Sequence, residues 1–351
     1  MIGGVRRAAG VVLLAVGGIA LALVAGELVA RALWQPPQPV VDDVPEAWRA
    51  LPDLRTKEDL SQPNLHARNR SALFETNSAG FRGPARTREK PPGVFRIALI
   101  GDSFAMGWNV RQEDTYAARL EAALRAQGAN VEVLNFGLAG LDAVAVVDRF
   151  HALALAYDPD LVIYGFTLND LENEHYRHSA PLLGDVAQAL AASPSYLWRV
   201  LAPRIGSLRE VLYAPPGTPL YELNDNYFHN PEAWQTALAA LDRLAATAKS
   251  RDVCTVLLIH PQLQFLNALH PFHPHYDAIE RAARERGYFT VRAIDDFLGR
   301  KDRKLWAAPD DPHPGAEAHA MLAARLVREL NALPARCRVP SPPSTRAPAP
   351  G

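Results

Sequence analysis

Residues 95–104 read Phe-Arg-Ile-Ala-Leu-Ile-Gly-Asp-Ser-Phe, an apolar run that ends in a small polar turn. A short apolar run bounded by glycine is typical of a buried β-strand. The segment from Thr115 to Ala126 then repeats apolar residues at helical spacing, and Asp114 is placed to cap it. A strand followed by a helix is the repeating unit of a parallel sheet. The stretch therefore predicts an α/β domain in which Ser103 lies at the carboxyl end of the first strand.

The alternation of strand and helix continues along the chain. Further strands are predicted at Val131 to Leu134, Leu161 to Tyr164, Val253 to Ile259 and Phe289 to Val291, and further helices at Ala143 to Ala156, Tyr276 to Arg286 and Ala316 to Leu333. Elements in this order form a parallel sheet with helices on both faces. Residues 171–249 interrupt the alternation and are too long for a simple crossover. We interpret them as an insertion into a domain of residues 77–337.

The N-terminus carries an uncharged apolar run from Ala8 to Ala25, preceded by Arg6 and Arg7. The run is long enough to cross a bilayer core of about 30 Å as a helix. A cleavable signal peptide is the alternative, because Ala30-Arg31-Ala32 has the small-x-small form of a cleavage site. In both cases the two arginines favour a cytoplasmic N-terminus and export of the rest of the chain. We expect a single-pass protein of the cytoplasmic membrane with its domain on the periplasmic side.

The flanks of the domain differ from it in composition. Residues 1–34 are the predicted anchor or signal, residues 35–76 are rich in proline and charge, and residues 338–351 are mostly proline, serine and alanine. We predict that the second segment is a spacer and that the third is disordered.

Composition excludes several classes of function. The chain has 351 residues, and its 37 basic and 38 acidic side chains nearly cancel without long charged blocks, so a nucleic-acid partner is not expected. Cys254 and Cys337 are too few for a disulfide-rich scaffold or a cysteine zinc site. His270, His273 and His275 lie close together, but the prolines between them break the helix that would align them. The sequence therefore predicts neither a metal nor a cofactor.

Polar motifs that contain glycine or asparagine follow three of the predicted strands. Gly101-Asp102-Ser103 ends the first, Asn135 to Gly140 follows the second, and Asn169-Asp170 follows the third. The carboxyl ends of parallel strands share one edge of a sheet, so these motifs should lie in one layer. A backbone N–H at Gly137 and the side-chain amide of Asn169 could there stabilise an oxyanion. The alternative is that the glycines only shape turns and that Asn169 caps the next element.

Asp310-Asp311-Pro312-His313 precedes the last predicted helix. A base for Ser103 must come within about 3 Å of the serine hydroxyl, and a carboxylate must hold the imidazole in the correct tautomer. A spacing of three residues lets Asp310 orient His313 within one turn of loop. This spacing favours Asp310 as the orienting carboxylate, with the adjacent Asp311 as the alternative.

In order and spacing, the four motifs resemble those of the GDSL, or SGNH, hydrolases, and the resemblance spans about residues 77–333. It includes Asn77 to Gly83, which is similar to the segment before the first strand in membrane-anchored bacterial members. The resemblance implies a three-layer, flavodoxin-like α/β/α domain. Thr167 departs from the pattern, because the family usually has a glycine at this position.

The resemblance also implies roles for individual residues. Ser103 would be the nucleophile, His313 its base and Asp310 the carboxylate that orients the imidazole. The oxyanion would be bound by the N–H groups of Ser103 and Gly137 and by the Asn169 side chain. No Gly-x-Ser-x-Gly elbow of the alternative hydrolase scaffold occurs in the chain.

The expected topology also bears on side chains away from these motifs. The last helix runs back from the active-site edge of the sheet, so Cys337 should arrive near the start of the strand that carries Cys254. Pairing of the two cysteines is therefore plausible but open. His260 is expected to be a structural residue or a contact near the crevice, and His319 is expected to face solvent.

The function expected from these features is hydrolysis of an acyl ester through an acyl-enzyme. For an exported and tethered domain, we expect an O-acetyl or other short acyl ester on an envelope glycan or lipid. One alternative is an O-acyltransferase that passes the acyl group to a sugar hydroxyl. A second is a catalytically silent glycan-binding or assembly module.

Overall fold

The computed structural model describes residues 2–34, 44–56, 59–70, 72–171, 193–214, 216 and 218–340. The chain divides into two compact units. The smaller contains Met1–Pro39 and Glu174–Glu222, and the larger contains Val40–Asn173 and Leu223–Gly351.

Parallel strands form the centre of the larger unit. In chain order, its strands are β1 (His66–Asn69), β2 (Ala72–Glu75), β3 (Phe95–Gly101), β4 (Val131–Asn135), β5 (Leu161–Phe166), β6 (Cys254–Ile259), β7 (Phe289–Arg292), β8 (Trp306–Ala308) and β9 (Asp311–Pro314). Within the described residues, a five-stranded parallel sheet has the order β4-β3-β5-β6-β7. This is the flavodoxin-like order, with the switch point between β3 and β5. The predicted strands are therefore confirmed.

Helices cover both faces of this sheet. In chain order, the helices of the two units are α1 (Ile2–Leu33), α2 (Ser103–Met106), α3 (Tyr116–Ala126), α4 (Ala143–Ala152), α5 (Tyr196–Tyr213), α6 (Pro219–Asn224), α7 (Pro231–Ser250), α8 (His273–Glu285), α9 (Asp302–Leu305) and α10 (Ala316–Ala332). Helix α3 packs against α10, and α4 packs against α7. Every residue of β4, β5 and β6 is buried, as expected for strands covered on both faces. The fold is the predicted three-layer α/β/α arrangement.

Part of the predicted spacer belongs to the larger unit. Strands β1 and β2 form an antiparallel hairpin, and alternate residues of each strand are buried. Leu54, Leu65, Ala67 and Phe74 form a buried cluster with Met106 of α2. The strands contain only four residues each, so their alternation was too short to distinguish from a proline-rich linker. Residues 35–43 of the predicted spacer lie outside the described residues.

The predicted insertion is also too long at its C-terminal end. Helix α7 belongs to the larger unit and leads into β6, so it is an ordinary crossover helix. Asn230 caps its first turn by accepting a hydrogen bond from the Ala233 N–H at 3.1 Å, and Pro231 occupies the first helical position. The segment assigned to the other unit ends at Glu222. Residues 172–192 of the insertion, and residues 341–351 of the predicted tail, lie outside the described residues.

Cys254 and Cys337 form a disulfide, with their Cα atoms 5.6 Å apart. Cys254 begins β6, and Cys337 follows α10, which returns to this end of the sheet. The topological argument that placed the two cysteines together is confirmed.

Loss of this disulfide should destabilise the protein. The bond closes a long loop across 83 residues, so Cys337→Ser is expected to lower the free energy of unfolding by about 2–5 kcal/mol. Denaturant unfolding of wild type and variant, with and without reductant, measures this difference. Reductant should lower the midpoint of the wild type and leave that of the variant unchanged. An identical wild-type midpoint in both conditions would contradict the prediction.

The smaller unit contains the apolar helix. Helix α1 includes a predominantly apolar stretch from Gly10 to Leu33, 24 residues long, in which Ala30 is buried and most of the other side chains are exposed. At about 1.5 Å per residue, this stretch exceeds the thickness of a bilayer core. It has the length and composition of a membrane anchor or of a signal sequence.

Candidate active site

Ser103 lies at the carboxyl end of β3, as the first residue of α2. Asp102 caps this short helix, because its carboxylate accepts a hydrogen bond from the Phe104 N–H at 2.9 Å. The preceding Gly101 has a φ of +149°, and a Cβ there would lie 2.5 Å from the Gly165 carbonyl oxygen. A side chain at position 101 would therefore push β3 away from β5. The glycine allows the sharp turn that leaves Ser103 only half-buried.

His313 lies between Ser103 and a carboxylate. Its Nε2 atom is 3.0 Å from the Ser103 Oγ, and its Nδ1 atom is 2.6 Å from an oxygen of Asp311. Asp311 also accepts a hydrogen bond from the His313 backbone N–H at 3.2 Å. The sequence-predicted serine and histidine are thus brought together across 210 residues of chain.

The carboxylate that contacts His313 is Asp311, not the predicted Asp310. Asp310 lies in the turn between β8 and β9, and β9 begins at Asp311. Residues two apart on a strand project to the same side, so Asp311 and His313 meet. Asp310 instead binds Arg70, at the tip of the β1–β2 hairpin, through two bonds of 2.7 and 2.8 Å. The prediction assumed a loop turn where the chain is extended.

The surroundings keep Asp311 ionised. Burial acts to raise the pKa of Asp311, but the hydrogen bonds and charge of His313 outweigh it and lower the pKa below its usual value. The hydrogen bonds from Arg70 likewise hold the pKa of Asp310 below its usual value. Both carboxylates therefore carry a charge at neutral pH, but only Asp311 touches the imidazole.

Of the three predicted oxyanion donors, Gly137 is not available in this arrangement. Its backbone N–H donates to the Asn135 side chain at 3.0 Å, and the residue is buried. A Cβ at Gly137 would lie 2.5 Å from the Met106 nitrogen, so this glycine permits close packing of α2 on the loop after β4. Asn169 follows β5 at the same edge as Ser103 and is half-buried. Its side chain has no hydrogen-bond partner within the described residues.

Behind Ser103 lies a network of buried oxygen atoms. The Thr167 hydroxyl is 3.0 Å from an oxygen of Asp102 and 2.5 Å from an oxygen of Asp170. Tyr164 donates its hydroxyl to the other oxygen of Asp170 at 2.7 Å. Thr167, which stands where the resemblance expects glycine, therefore joins the two aspartates of the first and third motifs.

Two histidines lie behind the site, and sequence reasoning misplaced one of them, His319. His319 is buried rather than exposed, and its Nδ1 accepts a hydrogen bond from the Tyr116 N–H at 3.1 Å. His260 is also buried, with its ring centroid 5.5 Å from that of Phe104. Burial lowers the pKa of each histidine to about 3, so both are neutral. The spacing of His319 with Leu322 and Leu326 on one helical face was the signal that could have placed it inside.

Comparison with known proteins gives a family. Residues 99–321 match the GDSL-like Lipase/Acylhydrolase family. No curated protein matches the chain.

Three solved structures are similar to this chain at low sequence identity. TesA is 16% identical over 68% of this chain and 98% of its own, with a TM-score of 0.43. The psychrotrophic esterase EstA from Pseudoalteromonas sp. is 15% identical over 68% of this chain and 97% of its own, with a TM-score of 0.40. A two-domain esterase active on acetylated mannans is 17% identical over 73% of this chain and 53% of its own, with a TM-score of 0.43.

The family match covers the end of β3 that leads into Ser103, the motifs after β4 and β5, and strand β9 with His313. It spans well over half of the chain, from inside β3 into the last helix. The chain belongs to the GDSL-like lipase/acylhydrolase family and is a carboxylic ester hydrolase.

Proposed function

We propose that Ser103 is the nucleophile of ester hydrolysis, that His313 is its general base, and that Asp311 orients the imidazole. The observation that carries the proposal is the position of His313, within hydrogen-bond distance of both Ser103 and Asp311. A serine is a weak nucleophile until an adjacent base takes its proton. Asp311 favours the tautomer with a proton on Nδ1, which leaves Nε2 free to accept the serine proton.

The reaction then has two halves. The Ser103 oxygen attacks the acyl carbon while its proton passes to the Nε2 atom of His313. The tetrahedral intermediate collapses, and the leaving alcohol takes that proton, so an acyl-serine remains. A water molecule loses its proton to His313 and attacks the acyl-serine, and Ser103 leaves with the proton as the carboxylic acid is released.

The developing oxyanion needs preorganised donors. We assign this role to the Ser103 backbone N–H and the Asn169 side chain. Both lie at the carboxyl edge of the sheet, and Asn169 has its amide uncommitted within the described residues. Gly137 is left out of this assignment because its N–H already donates to Asn135.

We further propose that α1 remains as a membrane anchor and that the catalytic domain lies on the periplasmic side. The support is the predominantly apolar and mostly exposed stretch of 24 residues in α1, together with the disulfide between Cys254 and Cys337. Disulfides persist in oxidising compartments and are rare in the cytosol. An intact mass that includes α1, in protein extracted from membranes by detergent, is the expected result. A mature protein that begins after Ala32 would contradict the anchor.

The proposed substrate is an O-acetyl or other short acyl ester on an envelope glycan or lipid. Turnover of a series of acyl esters of increasing chain length, by the purified full chain, tests the reaction and ranks the acyl groups. A sugar acceptor is then added, and released acid is compared with transferred acyl group. Dominant hydrolysis supports the proposal, dominant transfer would indicate an acyltransferase, and no turnover with either would contradict ester chemistry at this site.

A further inference from the structure

Helix α5 presents an exposed apolar stripe. The stripe consists of Trp198, Leu201, Ile205, Leu208 and Leu212, which are between 40% and 57% exposed. At about 100° per residue, these five side chains fall within an arc of about 80°. Arg204 and Arg209 are exposed as well, and they flank the arc on its two sides. Soluble surfaces rarely expose a continuous apolar stripe, and flanking basic residues are typical of helices that lie at a membrane interface.

The start of α5 is fixed to the apolar helix α1. The Glu27 carboxylate accepts hydrogen bonds from the Ser195 hydroxyl at 2.8 Å, the Tyr196 N–H at 3.0 Å and the Leu197 N–H at 2.9 Å. Glu27 thereby satisfies N–H groups that the first turn of α5 leaves without intrahelical partners. Gly26 permits the contact, because a Cβ there would lie 3.1 Å from the Leu197 side chain.

The same contacts place α5 near one end of the apolar stretch. Glu27 precedes its last residue, Leu33, by six positions, which is about 9 Å along a helix. Close by, the Arg31 guanidinium lies 5.1 Å from the Tyr196 ring centroid, and the Trp34 ring contacts the same tyrosine at 5.8 Å. Aromatic and basic side chains of this kind are enriched where a membrane helix meets the headgroups.

We propose that α5 lies on the membrane surface, with its apolar stripe in the boundary between headgroups and acyl chains. Arg204 and Arg209 then extend their charged ends toward anionic headgroups. The proposal rests on the proposed anchoring by α1, because α1 brings the start of α5 to the bilayer. A lipid surface is favoured as the occupant because the stripe begins beside the exposed apolar surface of α1 and is bordered by positive charge.

Spin labels on single cysteines test this placement in the full chain. Ile205→Cys places a label on the stripe, and Gly206→Cys places one at the adjacent position, about 100° away, where a Cβ meets open space. Leu21→Cys reports on α1 itself. The native cysteines are paired, so only the introduced thiol reacts. The protein is reconstituted into vesicles of phosphatidylethanolamine and phosphatidylglycerol, and collisions with oxygen and with a water-soluble nickel chelate are measured.

The label at position 205 should collide more with oxygen than with nickel, and the label at 206 should show the reverse. A label at 205 that favours nickel, while the label at 21 favours oxygen, overturns the proposal and leaves the anchor intact. A label at 205 shielded from both reagents, or broadened by a second label, indicates a protein partner and also overturns it. A label at position 21 that collides more with nickel than with oxygen would contradict both the membrane anchor and this proposal. Ester turnover in the same vesicles reports separately on the catalytic residues.

A second inference concerns the buried network behind Ser103. The Thr167 hydroxyl has one proton, yet it lies within hydrogen-bond distance of both Asp102 and Asp170. One of the two carboxyl groups must therefore donate to the threonine oxygen. Asp102 already accepts from the Phe104 N–H, and it faces the Ser103 hydroxyl at 3.4 Å. The donor pattern is satisfied when Thr167 donates to Asp102 and a protonated Asp170 donates to Thr167.

The environment favours the proton on Asp170. Burial, and then the neighbouring charge of Asp102, raise the pKa of Asp170 well above its usual value. Burial also raises the pKa of Asp102, but the hydrogen bonds from Phe104 and Thr167 and the charge of His313 oppose burial and keep this rise smaller than that of Asp170. Tyr116 and Tyr164 both lie close to the two aspartates, and burial raises the pKa of each tyrosine well above its usual value, so both are neutral.

We infer that Thr167 and Asp170 are positioning residues for the nucleophile. A neutral Asp170 donates to Thr167, and Thr167 donates to an ionised Asp102, which holds the first turn of α2 and the backbone of Ser103. The threonine that departs from the family pattern thus links the third motif to the first.

Matched amide substitutions test the direction of these hydrogen bonds. In Asp170→Asn, the amide nitrogen can donate to Thr167 and the amide oxygen can accept from Tyr164, so kcat should stay within about threefold of wild type. In Asp102→Asn, the amide nitrogen must face either the Thr167 hydroxyl or the Phe104 N–H, and both of these groups donate. One hydrogen bond is therefore lost, and kcat should fall by about 10–100-fold. Thr167→Val should behave like Asp102→Asn, with KM changed less than kcat, and Thr167→Ser should restore the rate.

Stability against pH gives a readout independent of activity. The raised folded-state pKa of Asp170 means that the folded state holds a proton the unfolded state has lost, so the contribution of Asp170 to the free energy of unfolding falls as pH rises from about 4. Asp170→Asn should remove this fall. A loss of rate in Asp170→Asn as large as that in Asp102→Asn, or an unchanged pH dependence of stability, overturns the inference.

Discussion

Ser103→Ala is expected to abolish ester hydrolysis, with kcat lower by about 10⁶-fold, the size of the loss in a well-studied serine protease. Without the Oγ atom no acyl-enzyme forms, and His313 has no proton to accept from the nucleophile. The residual rate would come from substrate binding and oxyanion stabilisation alone. The measurement is kcat on the preferred acyl ester, under single-turnover and steady-state conditions.

A serine far from the site supplies the matched control for this substitution. Ser250 ends α7, and its hydroxyl donates to the Thr247 carbonyl oxygen on the surface, so Ser250→Ala should leave kcat unchanged. Equal unfolding midpoints for the two variants would show that the loss is chemical. If Ser103→Ala kept more than about one hundredth of the wild-type rate, a different nucleophile would have to be found.

Replacing each of the two adjacent aspartates by asparagine should give kcat values that differ by orders of magnitude. Asp311→Asn is expected to lower kcat by about 10⁴-fold, because an amide cannot fix the imidazole tautomer or stabilise its protonated form. Asp310→Asn loses only a partly exposed ion pair with Arg70, so kcat should change by less than about fivefold. Both variants keep the volume of the side chain, which makes each the control for the other.

The informative result is which of these two variants loses more kcat. A large loss in Asp310→Asn with a small loss in Asp311→Asn would restore the assignment made from sequence spacing. Equal losses would indicate that Arg70 and the turn between β8 and β9, rather than one carboxylate, position His313. Circular dichroism of each variant checks that the turn still forms.

The sheet could be predicted because its signal is local. Buried parallel strands such as β5 and β6 are continuous apolar runs, and the helices between them repeat with a helical period. Topology then followed from the right-handed crossover rule, and with it the meeting of Cys254 and Cys337. Ser103 and His313 could be paired because each belongs to a recognisable motif at the same edge.

The errors concern features that depend on distant contacts. Whether Asp310 or Asp311 faces His313 depends on where β9 begins, which is set by its pairing with β8. The N–H of Gly137 is occupied because the Asn135 side chain turns back onto it. Neither pairing leaves a local periodic pattern, so sequence spacing alone favoured the wrong carboxylate and a donor that is already used.

The hairpin before β3 illustrates a third kind of error. Its strands are short, and three of their four outward residues are polar, so the segment resembled a linker. Its burial depends on Met106 and on the contact between Arg70 and Asp310, which lie far away in sequence. The same contact explains why Asp310 is withdrawn from the catalytic histidine.

Covalent labelling with a fluorophosphonate tests the central claim most directly. The reagent reacts with a serine whose oxygen is activated by a base, so mass mapping of the labelled full chain should find one equivalent on the peptide that contains Ser103. Labelling should be absent in Ser103→Ala and strongly slowed in Asp311→Asn, but unaffected in Asp310→Asn. A wild-type protein that stays unlabelled, or that is labelled at another residue, would contradict the account.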